Sequence, residues 1–206
     1  MKLTVSVIAV ALSLGLAAGP ALASHKKGPP RVKESIEIAD HVAFATQQKV
    51  TGATTLIRDF RNRIITANVT SNDLEPGWAY SMWWVVFNRP RFCAVPWECA
   101  SSDLEVNGGD PRVRASVFYA GGFLADGNGD GATDILLTPG KTSRELFAMS
   151  KPFGLQNLRT AEIHLVIRSH GVAGMWGDVS EQIGTANVAC PPGGCVNEYF
   201  SIHRAR

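Results

Sequence analysis

The chain has 206 residues, with 20 Lys plus Arg against 18 Asp plus Glu, and carries 20 Gly, 11 Pro and 4 Cys. So even a charge balance argues against an electrostatic partner such as nucleic acid. The length fits one domain large enough to bury a core.

Lys2 leads into the uncharged run LTVSVIAVALSLGLAAG, followed by Ala21-Leu22-Ala23. That small-x-small triplet has the form a signal peptidase accepts, so residues 1–23 are expected to be a signal peptide. A membrane anchor is the rival reading, but about 17 apolar residues are marginal for a span. Cleavage after Ala23 predicts an exported protein, periplasmic or extracellular, with no transmembrane anchor in the mature chain. Residues 24–35, SHKKGPPRVKES, are basic, contain proline and lack apolar periodicity, which predicts a flexible tail. Residues 36–206 are expected to form a single monomeric domain.

Several stretches alternate with period two. In residues 34–46, Ile36 and Ile38 share a side and Val42 and Phe44 continue after an expected bulge at Asp40. A strand is predicted over 63–70, and the cluster Arg58, Arg61 and Arg63 before it reads as a solvated turn or an anion-contacting patch. Next comes WAYSMWWVVFN, where Trp78, Tyr80, Met82, Trp84 and Val86 line one side and Ala79, Trp83, Val85 and Phe87 the other. Both sides are apolar, so this strand is expected to be central and covered twice.

Further strands are predicted over 112–120, 132–137, 161–168, 183–189 and 197–203. One short helix is expected where Thr142 and Glu145 form a capping box before Leu146, Phe147 and Met149, with Pro152 stopping it. Many short strands, frequent Gly and Pro and little helix give an all-β chain, read as an antiparallel β-sandwich with one short helix. The cysteines fall in two local pairs, Cys93 with Cys99 and Cys190 with Cys195, each around proline. In an exported chain these predict two disulfides closing short loops. A four-cysteine zinc site is the rival, and neither spacing is Cys-x-x-Cys.

Between residues 124 and 140 runs LADGNGDGATDILLTPG. Counted from Asp126, it places Asp126, Asn128 and Asp130 at positions 1, 3 and 5, Gly131 at 6, the Ala132 carbonyl at 7 and Asp134 at 9. Alternate oxygens around a glycine bend are what a calcium loop requires. Leu137 stands where an EF-hand has its Glu, so an EF-hand is excluded. The competing reading is a Gly/Asp/Asn hairpin turn. The nine residues resemble the calcium hairpin of integrin-type FG-GAP blades, where an apolar strand also follows; here the motif occurs once. The resemblance implies a modest-affinity calcium site that steadies a hairpin.

Residues 161–171, AEIHLVIRSHG, concentrate the imidazoles. An extended chain puts Glu162, His164, Arg168 and His170 on one face and Ile163, Leu165 and Ile167 on the core side. That polar row is either a solvated sheet face or a ligand or active-site face. His164 and His170 lie about 20 Å apart along a straight strand, so sharing an ion needs a bend or a partner such as His41 or His203. Nucleophile elbows, His-Glu-x-x-His and phosphate loops are absent from the sequence. Trp97, between the first cysteines, and Trp176, in GVAGMWGDV, are candidate exposed contact residues, whereas the aromatics of 78–87 are assigned to the core. Asn68-Val69-Thr70 is a glycosylation sequon.

The order of aromatic strand, cysteine loop, strand pair, His-bearing strand with His-Gly and final cysteine loop is similar to small exported bacterial proteins of unassigned function. More distantly it resembles CHRD-type β domains and, through them, the Cu,Zn superoxide dismutase sandwich, although the His-x-His of the copper site is missing. The leading expectation is a non-enzymatic binding or structural module with an unknown ligand and a calcium-pinned hairpin. A histidine-based metal enzyme or oxidoreductase and a carbohydrate-binding module are the alternatives.

Overall fold

A computed structural model of the chain describes residues 31–37, 39–40, 51–142 and 151–204. The expected signal peptide, His41 and the capped helix beyond Thr142 lie outside the described residues.

The architecture is an all-β sandwich of two antiparallel sheets. Among the described residues nine strands run β1 (Arg31–Glu37), β2 (Ala39–Asp40), β3 (Thr51–Asp59), β4 (Ile64–Asn72), β5 (Trp78–Phe87), β6 (Ala115–Leu124), β7 (Gly131–Leu137), β8 (Glu162–Val172) and β9 (Val196–His203). One sheet has the order β1-β3-β4-β7 and the other β2-β9-β8-β5-β6. A six-residue helix, α1 (Val179–Gly184), follows β8.

The core follows from the alternation of apolar residues. Leu56, Ile65, Ala67 and Val69 face Tyr80, Met82, Trp84 and Val86 across the interface, with Ile163, Leu165 and Ile167 from β8. The outward residues of β5, Trp83, Val85 and Phe87, are also buried, in a second cluster with Cys93, Cys99, Val113 and Val117. So β5 is covered on both faces, as its composition predicts, the outer cover coming from the segment between β5 and β6. Asn88 and Asp103 pin that cover. The Asn88 amide donates to the carbonyls of Arg114 and Gly154, each at 2.8 Å, and its oxygen accepts from Gln156 N–H. The Asp103 carboxylate accepts from the N–H groups of Ala94 and Ala100. The disulfides Cys93–Cys99 and Cys190–Cys195 form as the local pairing predicts.

Four expectations change. The expected tail ends earlier, because β1 starts at Arg31 and pairs with β3. The long first strand is divided between the two sheets, since Arg31–Glu37 pair with β3 and Ala39–Asp40 with β9. Arg58 is not in a solvated turn; it is 3% exposed at the inner end of β3 and donates to the carbonyl of Leu158 at 2.7 Å. Residues 183–189 are not a strand: α1 ends at Gly184, and the Arg168 guanidinium takes the Ala186 carbonyl at 2.6 Å and the Asn187 side-chain oxygen at 2.8 Å. A side chain thus claims what a neighbouring strand would have bonded.

Candidate functional site

The outer face of the five-stranded sheet holds a cavity of about 460 Å³. Its floor is Trp83, Val85 and Val117 from β5 and β6 with Val166 from β8, and Phe200 and Ile202 of β9 close one side. Cys99, Ala100, Ser101 and Leu104 form the opposite wall. Paired residues of antiparallel strands share a face, so Val166 opposite Phe200 and His164 opposite Ile202 bring these side chains to one surface. Volume and lining match those of small-molecule sites, which are mostly apolar with few polar groups.

His164 is the polar landmark of that lining. Its Nε2 lies 2.7 Å from Glu162 Oε1, and the same oxygen accepts the Cys99 N–H at 3.0 Å. Glu162 is fully buried and His164 is 7% exposed, so the carboxylate fixes the ring while the ring alone meets the cavity. The Phe87 ring stands 5.0 Å from the imidazole and limits its rotation. The Cys93–Cys99 loop therefore does more than trim a surface turn: its Cys99 amide is docked on the carboxylate that orients His164.

Farther along β8 the row divides. Arg168 donates to Ala186, Asn187 and Asn197, each within 2.8 Å, and ties the segment after α1 and strand β9 to β8. His170 is fully buried, with Nε2 2.8 Å from Ser81 Oγ and Nδ1 3.0 Å from Cys195 Sγ. Glu162, His164, Arg168 and His170 do share a face, but it is a buried face rather than a solvated one. His203 pairs with Ile163 and so lies on the inner side, away from His164. Among the described residues, His164, His170 and His203 thus stand in separate environments.

Burial drops the His170 pKa from its ordinary 6.5 to about 4; the Val188 carbonyl opposes the shift and the Arg168 charge adds to it. The folded chain favours the neutral ring. Stability tied to it is complete above the unfolded pKa near 6.5 and is lost as the pH falls through about 4. Urea unfolding at pH 7 and pH 4.5 is expected to differ by about 2 kcal/mol more in the parent than in His170→Gln. Equal losses in the two proteins would show that His170 does not carry this dependence.

The residues of the calcium expectation line the exposed rim between the sheets. Residues 125–130 are an arch rather than a hairpin, because β6 pairs with β5 and β7 with β4. The arch bonds its backbone to the other crossover, with Leu74 N–H on the Gly129 carbonyl at 3.0 Å and Gly77 N–H on the Ala125 carbonyl at 3.1 Å. Gly129 has φ of 84°, and a Cβ there would lie 2.3 Å from the Leu74 carbonyl oxygen, so no other residue fits. Asp126 Oδ1 accepts from the N–H groups of Asn128 at 2.8 Å and Asp130 at 3.0 Å. These bonds, that from Asp130 foremost, hold its carboxyl below the usual range. Asp134 accepts from the Asn68 side chain across the sheet at 3.0 Å, and Ala132 lies opposite Thr70 in the ladder. The carboxylates of Asp126, Asp130 and Asp134 are not gathered around one point: among the described residues, only His170, Cys190 and Cys195 form a three-ligand group within 4.8 Å.

Trp97 and Trp176 are 44% and 40% exposed. Sequence reasoning missed Gln182, which is fully buried although it follows an acidic residue in a polar helix. Its amide donates to the carbonyls of His170 and Val172 and accepts from Gly174 N–H, closing the end of β8. It missed the cavity as well, whose signal was the presence of Trp83, Val85 and Val166 on faces of β5 and β8 opposite the main core.

No family model matches the chain, and comparison with curated proteins gave no match. Among the described residues no helix is long and apolar enough to cross a membrane.

Proposed function

We propose that the chain is an exported, non-enzymatic binding module that takes a compact, largely apolar molecule into the outer-face cavity and aligns its one polar group on His164. The observation that carries this reading is the pairing of an apolar cavity of about 460 Å³ with a single buried Glu162–His164 pair at its lining. An apolar wall supplies affinity by area removed from water, and a carboxylate-fixed imidazole supplies orientation. The two disulfides and the sequence reading of residues 1–23 support a periplasmic or extracellular setting.

The test is a fluorescence titration with 1-anilinonaphthalene-8-sulfonate, an apolar probe with one anionic group. One saturable site is expected in the parent protein. Val166→Trp, which fills the cavity from its floor, is expected to abolish the signal while leaving the thermal transition in place. Trp97→Ala and Trp176→Ala separate the carbohydrate reading, in which loss of glycan binding at either position would replace the cavity. Equal probe binding in the parent and Val166→Trp would overturn the proposal.

The calcium reading of residues 126–134 is a second proposal, supported by the spacing of its oxygens in the sequence, and it requires the ion to draw together carboxylates that stand apart on the arch and on β7. Thermal unfolding in millimolar calcium is expected to rise a few degrees over chelator, through a gain of about 1.4 kcal/mol for a ~0.1 mM site. Asp130→Ala is expected to remove the difference. A parent protein indifferent to calcium returns the arch to a plain turn.

A further inference from the structure

At the opposite end of the β8 row, His170 and the last two cysteines form a cluster that the cavity does not use. We propose that this chain carries a redox-gated metal site, in which reduction of the Cys190–Cys195 disulfide frees two thiolates that, with His170 Nδ1, hold a zinc-class ion.

The ligand atoms of His170, Cys190 and Cys195 already lie within 4.8 Å of one another. In a tetrahedral zinc site, bonds of about 2.3 Å to sulfur and about 2.0 Å to nitrogen separate the ligand atoms by roughly 3.5 to 4 Å. The cluster reaches that spacing when the two sulfurs part and His170 Nδ1, now 3.0 Å from Cys195 Sγ, draws back by about half an ångström. Two thiolates and one imidazole are a borderline-soft donor set that favours zinc over calcium or magnesium.

The imidazole is positioned for this from behind. Ser81 Oγ lies 2.8 Å from His170 Nε2 and accepts the Trp83 indole N–H at 2.9 Å, so Nε2 is held, while Nδ1 faces Cys195 Sγ at 3.0 Å and the Val188 carbonyl at 3.3 Å, a contact that the ion would replace. Such partners orient metal-ligating histidines. Within the loop Gly194, at φ of 89°, donates its N–H to the Pro191 carbonyl at 2.8 Å, a turn contact that does not involve the sulfurs. Cys195 is buried and Cys190 half-buried, which leaves an approach from the Cys190 side for the ion and for a water in the fourth position.

The chemistry balances as follows. A dithiol reductant gives two electrons to the disulfide, is itself oxidised to a disulfide and releases two protons; the two protein thiolates then bind one divalent ion. The oxidised chain keeps a stapled loop and the reduced chain gains a metal-bridged one.

Full-length protein, reduced with a dithiol without oxygen and freed of reductant, is titrated with cobalt(II) alone, followed by zinc competition. The reduced parent is expected to take one equivalent with a thiolate-to-cobalt absorption band, and the oxidised parent none. Cys190→Ser and Cys195→Ser are expected to lose the band, which separates this pair from Cys93 and Cys99. His170→Gln is expected to bind at least about tenfold more weakly, and Ser81→Ala to fall between it and the parent. Far-ultraviolet circular dichroism follows the sandwich throughout. A reduced parent without the band, a band that survives in Cys190→Ser, unchanged affinity in His170→Gln, or unfolding on reduction would each overturn the proposal.

Discussion

Trp84→Ala is expected to lower the unfolding free energy by about 4 kcal/mol, the largest single loss foreseen for this chain. Trp84 is 1% exposed at the centre of the interface between the sheets. Its cross-strand partners are Phe118 of β6 on one side and Leu165 of β8 on the other, both in the same core. Truncation loses the transfer energy of an indole and leaves a cavity that two sheets cannot close without slipping register. Because domains of this size are stable by only about 5–15 kcal/mol, the variant should melt far below the parent. Denaturant unfolding measures the difference; a loss under about 1 kcal/mol would mean that the interface repacks around position 84.

The second large effect belongs to the site. Glu162→Ala is expected to cost about 3 kcal/mol and to weaken probe binding in the cavity at least about tenfold. The carboxylate has no exposure to water, holds both the Cys99 N–H and the His164 ring, and its Oε2 has no hydrogen-bond partner among the described residues. Its removal strands a backbone donor in a dry site and frees the ring. Glu162→Gln keeps an oxygen for the Cys99 N–H and should cost less than half as much. Equal losses for the two variants would show that the carboxylate charge, rather than the hydrogen bond to the loop, governs this corner. Denaturant unfolding of both proteins and the probe titration read the two effects apart.

What the sequence made legible was the layering. Two apolar faces on WAYSMWWVVF required cover on both sides, and the structure supplies a core inside and the segment between β5 and β6 outside. The local cysteine pairs were legible from their proline-bounded spacing. The polar row on β8 was legible as a row, because strand periodicity fixes which side chains share a face.

Its division was not. His164 and His170 sit on the same strand, yet one meets Glu162, its neighbour on that strand, which the distant Cys99 N–H also engages, and the other meets Ser81 and Cys195, which come from elements distant in sequence. Strand β3 escaped because Gly52, Thr54 and Thr55 dilute its apolar alternation; its pairing with β1 and β4, rather than its own pattern, makes it a strand. The arch at 125–130 reads as a hairpin because turn dipeptides look alike whether the following strand returns to its predecessor or crosses to the other sheet. Only the partnership of β7 with β4 decides it. Residues 183–189 alternate like a strand, but Arg168, some 18 residues upstream, captures the Ala186 carbonyl first.

The most direct test of the binding account is the side-chain nitrogen spectrum of the histidines in uniformly labelled protein during titration with the naphthalene sulfonate probe. The account predicts that the His164 ring signals move with saturation while those of His170 and His203 stay in place. A titration in which the His164 signals are unmoved while the probe still binds would contradict it.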